Sequence, residues 1–343
     1  MQVDRNVTKK YLQEVYFMSN KVRIAVIGAG SRSRQAALPS LAGIDDVEIV
    51  ALCDINRELC ENTADEYAIT ARYSESINDY RRMLIEIEPD AVVAIGNPHE
   101  MYDGWRWILE RRIPLAIEKP LGLTLHQTKS LVWLAEESGA PTQVLFQRRY
   151  TPVARKALDM CRERGDVTHA VCRFYKCDMV PMLGARDHVL DDTVHSVDTL
   201  RWICGGEVVG IESYCRRIGS PDVNFISAVL YFDNGAVGHM INSWSSGKRI
   251  FSVEMHAHGV FAEIEHEIGG FIYKDGSLEG QRLDAITEAG SEKFEVYTGA
   301  RAAMEDFIRA VQSGGTAGCN FSEAAKTMDI VYKIQAADVL SRE

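Results

Sequence analysis

Residues 22–34 read Val22-Arg23-Ile24-Ala25-Val26-Ile27-Gly28-Ala29-Gly30-Ser31-Arg32-Ser33-Arg34. The run from Val22 to Ile27 has strand character and ends at two glycines separated by one residue. A strand that stops at such a turn and gives way to a helix directs free backbone N–H groups and a positive helix end at a pyrophosphate. Gly28 permits the tight turn, and Gly30 lets phosphate approach the backbone. Ser31 and Arg32 follow in the turn and join the cofactor candidates. Ser33 takes the third place of the fingerprint, small enough for helix–strand packing but a weaker match than glycine.

A second apolar run, Val47 to Cys53, ends in Asp54. Its distance from the glycines is close to the roughly 20 residues at which an acidic side chain meets the adenosine ribose. That carboxylate accepts the ribose hydroxyls and repels a 2′-phosphate, which favours NAD. NADP stays open because Arg32, Arg34 and Arg57 could each reach a phosphate. Asp54 also suits a helix N-cap for the segment beginning near Asn56, and the two roles can coexist.

The chain has 343 residues, 46% hydrophobic and 25% charged, enough for two domains with their own cores. A net charge of −11 argues against a nucleic-acid or membrane-surface partner. No apolar run reaches the roughly 18 residues of a membrane span. The eight cysteines include no CxxC pair, so no metal is expected, and reduced thiols imply a cytoplasmic protein. Residues 1–20 lack the apolar core of a signal peptide and read as an N-terminal extension, with Met18 a possible original start.

From 21 to 147 strand-like and helix-like segments alternate. That pattern implies an α/β domain of the Rossmann type, a parallel sheet with helices on both faces. The helices are expected over 56–67, 80–88, 99–111 and 123–139, and further strands over 90–96, 114–118 and 142–147. The polar stretch from Arg148 to Pro152 marks the boundary. Residues 148–343 form an α+β domain whose alternating segments at 168–178, 208–217, 225–232, 235–242, 250–256 and 259–265 build a large, mainly antiparallel open sheet. Helices are expected near 191–203, 299–312 and 321–341.

Asn97-Pro98 follows the fourth strand, Glu118-Lys119-Pro120 the fifth, and Asp191-Asp192-Thr193-Val194-His195-Ser196-Val197-Asp198 falls in the second half. With the glycine turn, these motifs resemble the Gfo/Idh/MocA oxidoreductases over nearly the whole chain from 21 onward. The resemblance implies an NAD(P)-dependent dehydrogenase or reductase acting on a secondary alcohol or ketone of a polyol, sugar or sugar derivative. It also implies a homodimer or homotetramer assembled through the second sheet. Gln147 and Arg148 occupy positions that contact nicotinamide and substrate in such proteins, and Asn97-Pro98 resembles the loop over the nicotinamide ribose. The resemblance places Glu118 and Lys119 in the cofactor site, and in relatives the bond before that proline is often cis.

The same residues make chemical sense without the family. On a helix turning about 100° per residue, Asp191, His195, Asp198 and Trp202 share one stripe, while Val194, Val197, Leu200 and Ile203 take the remaining side. Oxidising an alcohol needs a hydride acceptor and a base. His195 can exchange the proton, Asp191 orient it, and Lys119 stabilise charge on the reacting oxygen. Asp198 is expected to bind a neighbouring hydroxyl. The competing reading of that stripe is a solvated polar face.

Other positions stay peripheral. Tyr102 stands where relatives carry a histidine, and His99 is expected to cap the helix that follows. Trp105 and Trp107 read as packing, and Arg149 and Tyr150 as either site or interdomain contact. His188 and Arg186 could reach a substrate or simply be solvated. His256 and His258 alternate on a strand without a third ligand at metal-binding spacing. The rival to an enzyme is a dinucleotide-binding sensor on the same fold. A biliverdin-reductase-like protein would want an apolar pocket, which the polar stripe disfavours.

Overall fold

The computed structural model describes residues 21–340 other than 179 and 183–186, with side chains through 337. The extension expected over 1–20, and Arg186, lie outside the described residues.

The first sheet follows from the alternation in the sequence. β1 (Val22–Ile27) leads through the glycine turn into a π-helical turn, Ser33–Ala37, continued by α1 (Leu38–Ala42). Then come β2 (Val47–Cys53), α2 (Arg57–Glu66), β3 (Ala71–Tyr73), α3 (Asp79–Ile87), β4 (Ala91–Ala94) and α4 (Pro98–Leu109). β5 (Leu115–Ile117), α5 (Leu125–Ser138) and β6 (Thr142–Val144) complete it. The strand order is β3-β2-β1-β4-β5-β6, and every pair is parallel. β4, Ala-Val-Val-Ala, is buried throughout, as a strand covered on both faces must be. The order reverses between β1 and β4, the place where open α/β sheets bind ligands beyond the strands' carboxyl ends. β3 is too short, and too polar at Arg72, to have been assigned from periodicity.

A 3₁₀ turn, Gln147–Tyr150, carries the chain into α6 (Pro152–Arg162), β7 (His169–Cys177), a π-helical turn over Val189–Thr193 and α7 (Val194–Cys204). α6 went unassigned because Pro152 and its basic residues read as a linker, yet proline suits the first turn and the helix has a buried apolar face. β8 (Val208–Arg216), β9 (Phe225–Phe232), β10 (Val237–Ser243), β11 (Ser245–Ala257), β12 (Val260–Glu265), β13 (Gly269–Lys274) and β14 (Gln281–Asp284) follow. α8 (Ala285–Ala289), α9 (Phe294–Tyr297), α10 (Ala300–Ser313) and α11 (Phe321–Leu340) close the chain.

The eight-stranded second sheet runs β14-β13-β12-β11-β7-β10-β9-β8, antiparallel except for β7–β10. Across it Ala228, Met240, Cys172, Val253 and Ile264 lie in register on one buried face, against α6 and α7. The neighbouring row, Val229, His239, Val171, Glu254, Glu263 and Phe271, is partly or fully exposed. α10 returns to the first sheet, where Met304, Phe307 and Ile308 pack with Val22, Ile24 and Val26. No helix of the described residues is long and apolar enough to cross a membrane.

Candidate active site

The glycine turn has the geometry its residue types predict. Gly28 has φ +97°, and a Cβ there would meet the Ile95 carbonyl oxygen at 1.9 Å. A Cβ on Gly30 would meet nothing within 4 Å, so that residue borders open space. Asp54, at the end of β2, accepts from the Ala29 N–H (2.6 Å) and the Asn56 N–H (2.7 Å), which fixes its carboxylate beside the turn. Asn56, not Asp54, caps α2, accepting from the Leu59 N–H. An open backbone cradle with a carboxylate at the second strand's end fits an adenine dinucleotide.

A cleft of about 510 Å³ opens beside this turn. Gly30, Ser31, Arg32, Asn97, Glu118, Lys119, Gln147, Arg148, Asp191 and His195 all line it. The chain thus brings together ends of β1, β4, β5 and β6 with the start of α7. Gly28, Ser33 and Pro98 do not line it. Gly28 shapes the turn, Ser33 is fully buried under the helix, and Pro98 is the first residue of α4. Arg32 spends its guanidinium inward, donating to Glu118 (2.8 Å) and Gln147. It is therefore not the free cation the sequence offered to a 2′-phosphate.

At the catalytic end Lys119, beside a cis Lys119-Pro120 bond, donates to the Asp191 carbonyl (2.6 Å) and carboxylate (3.2 Å). An ammonium has three donors, so one is left for an oxygen in the cleft. His195 is 7% exposed, edge-on to Phe146, Phe174 and Phe251, and its Nδ1 has no hydrogen-bond partner among the described residues. Burial, reinforced by Lys119, Arg148 and Arg32, drives its pKa well below the ordinary histidine value. The imidazole is neutral at neutral pH, able to take a proton and disposed to release it.

Asp198 corrects the helical wheel. It is 1% exposed and receives Arg149 through two bonds, 2.6 and 2.7 Å, and the Thr327 hydroxyl at 3.1 Å. It belongs to the interior and does not touch the cleft. Asp191 and His195 both line the cleft although a π-helical turn holds Asp191, whereas Asp198, on the same regular helix as His195, turns to Arg149. Asp198 also lies roughly 4.5 Å further along the axis than His195. Arg149 is therefore packing, and Tyr150 likewise, its hydroxyl donating to Asp306.

Asp192, beside Asp191, was passed over. It is buried and accepts from Trp244 Nε1 (2.8 Å) and Lys176 Nζ. Burial raises its pKa, but Lys119 and Lys176 outweigh that and hold it below the ordinary carboxylate value. Lys176, Phe174, Arg249, Ile95, Gly96 and Glu100 also line the cleft. Scattered over strands, loops and the first turn of α4, they carried no local signal. The doubled acid in Asp191-Asp192 did offer one.

The peripheral expectations resolve simply. His188 is buried and stacked on Trp244, and His99 lies inside α4 rather than capping it. Trp105 is fully buried. His256 stacks on His169 and Phe261. No group of three or more metal-ligating side chains is gathered among the described residues.

Comparison with known proteins agrees with this architecture. The chain is 24% identical over 289 residues, 80% of its own length and 79% of the relative's, to scyllo-inositol 2-dehydrogenase (NAD(+)) of Bacillus subtilis. A dehydrogenase structure from Chromobacterium violaceum superposes with a TM-score of 0.84 at 18% identity, covering 94% of this chain and 96% of that one. UDP-N-acetylglucosamine 3-dehydrogenase from Acidithiobacillus ferrooxidans gives 0.76 at 18% identity, with 92% and 97% covered. The model of an oxidoreductase family with an NAD-binding Rossmann fold matches residues 22–146, and that of the Gfo/Idh/MocA C-terminal domain matches 163–263. Both parts of one family are thus found, in order, and the chain belongs to the Gfo/Idh/MocA family of NAD-binding oxidoreductases.

Proposed function

We propose that the protein transfers hydride between a nicotinamide dinucleotide, NAD in preference to NADP, and a secondary alcohol or ketone of a polyol, sugar or sugar derivative. One observation carries this reading: Lys119, at the end of β5, meets Asp191, and both share a cleft with His195 and the glycine turn. The relative named for scyllo-inositol favours a hydroxylated ring as substrate. Gly30, Ser31, Asp54, Asn97, Glu118 and Gln147 would hold the cofactor.

The bound nicotinamide supplies the hydride acceptor or donor. Lys119 donates its remaining N–H to the reacting oxygen and stabilises negative charge there as the hydroxyl proton departs. His195 takes that proton as a neutral base and returns it in the reverse direction. Asp191 holds the Lys119 ammonium in place. Phe146, Phe174 and Phe251 keep water from the imidazole.

NADH formation over a panel of inositols, hexoses and amino sugars tests the reading. His195→Ala is expected to lower kcat/KM by about 10²–10⁴. Unchanged kcat/KM and pH profile in that variant would exclude the proton-transfer role. Cofactor binding without turnover on any panel member would favour a sensor instead.

The open face of the second sheet, with Tyr214, Tyr231 and Phe271 exposed, suits pairing with a second copy into a dimer or tetramer. A light-scattering mass of one chain would refute that assembly. All eight cysteines are free thiols, which fits a reducing cytoplasm.

A further inference from the structure

We propose that the substrate bears an anionic substituent, a carboxylate or phosphate, which binds to Arg249 with Arg148 and Lys176 beside it. The inference rests on reading the cleft as the substrate site and narrows the class of substrate.

Its first support is local charge. Arg148 donates to Glu267 at 3.0 Å, and Arg249 donates to the same carboxylate at 3.0 and 3.2 Å. Two guanidiniums share one acid. Beside them Lys176 pairs with Asp192, Lys119 with Asp191 and Arg32 with Glu118. His195 and His266 are held neutral by burial and add no charge of their own. Glu100 sits at the other end, accepting from Asn97. Asp192 and Glu265 act on Arg249 only from beyond bonding distance, so among the described residues the two guanidiniums have one bonded carboxylate between them.

Burial makes the Arg148 charge costly. The Arg148 side chain is 5% exposed, its guanidinium lies 4.5 Å above the Phe251 ring, and its Nε has no partner among the described residues. A buried guanidinium with an unused donor is stabilised by any anion brought near it.

The third support is the backbone. β11 advances from Ser245 to Ile250 while its partner β7 runs only from Cys177 to Tyr175. Three extra residues arch out of the sheet, and Arg249 ends that arch. Its side chain remains 54% exposed while lining the cleft. Bulges beside active sites re-aim side chains, and this one carries a planar fork suited to carboxylate or phosphate. Lys176, on the β7 segment that the arch spans, lines the same cleft.

The test is calorimetric titration of the NAD-loaded enzyme with matched sets: D-glucose, D-glucuronate and D-glucose 6-phosphate, and the corresponding galactose series. In at least one set an anionic member should bind about tenfold or more tighter than its neutral partner, weakening as salt is raised. A preference for uronate assigns a carboxylate, and one for the 6-phosphate assigns a phosphate. Arg249→Gln should bring the preference close to unity, and Arg249→Lys should retain part of it. The proposal is overturned if no anion outbinds its neutral partner, whether binding is equal or undetectable, or if Arg249→Gln keeps the full preference. Anion preference without turnover would defeat the proposed reaction and leave this inference standing. Turnover of neutral sugars without anion preference would do the reverse.

Discussion

Replacing Asp198 by asparagine separates a structural carboxylate from a substrate ligand. In the folded protein Asp198 is 1% exposed and carries both Arg149 bonds, at 2.6 and 2.7 Å. Removing one member of a buried ion pair costs about 3–5 kcal/mol because the remaining charge stays desolvated. Here Arg149 retains Glu323 at 3.1 Å, and the amide oxygen can still accept one bond, so the lower end, about 3 kcal/mol, applies. Urea denaturation followed by tryptophan fluorescence would read this as an earlier midpoint with an unchanged slope. On enzyme that remains folded, KM for substrate should change less than about threefold, since Asp198 is not in the cleft. Unaltered stability with a KM raised tenfold or more would refute the argument and restore Asp198 as a substrate contact. A cycle with Arg149→Gln should give strongly non-additive losses.

Two glycine substitutions should differ in kind. Gly28→Ala puts a methyl group into the Ile95 carbonyl at a positive φ and should destabilise the fold, read as a lower Tm. Gly30→Ala meets nothing in the protein and should leave Tm unchanged while raising the Kd for NAD. Equal effects of the two on Tm would contradict that assignment. For pH, burial lowers the His266 pKa from its ordinary value of 6.5 to about 3. The unfolded chain binds that proton first, so the stability contribution is complete above pH 6.5 and is lost as pH falls toward 3. The slope is roughly 1 kcal/mol per pH unit for this residue, and His266→Leu should flatten denaturation midpoints measured across that window. His195, lowered in the same direction, predicts that kcat/KM for alcohol oxidation stays level as pH drops through 6.5. A fall centred at 6.5 would show a solvated imidazole.

Sequence by itself determined what depends on neighbouring residues. The strand ending at Gly28 and Gly30, the Glu118-Lys119-Pro120 turn and the alternation of the second sheet are local, because backbone sterics and side-chain period act over a few residues. Residue chemistry and the family resemblance together pointed to Lys119, Asp191 and His195, and to Asp198 with them. Tertiary structure decided which acid of the Asp191–Asp198 segment faces the cleft, since a helical wheel records relative phase but not what each face packs against. It also decided that Arg149 occupies Asp198, that Arg32 turns inward to Glu118, and that α10 packs on the first sheet. Lys176 and Arg249 reach the site from β7 and from the arch of β11. Such placements depend on pairings between residues far apart in the chain, and no short-range pattern records them.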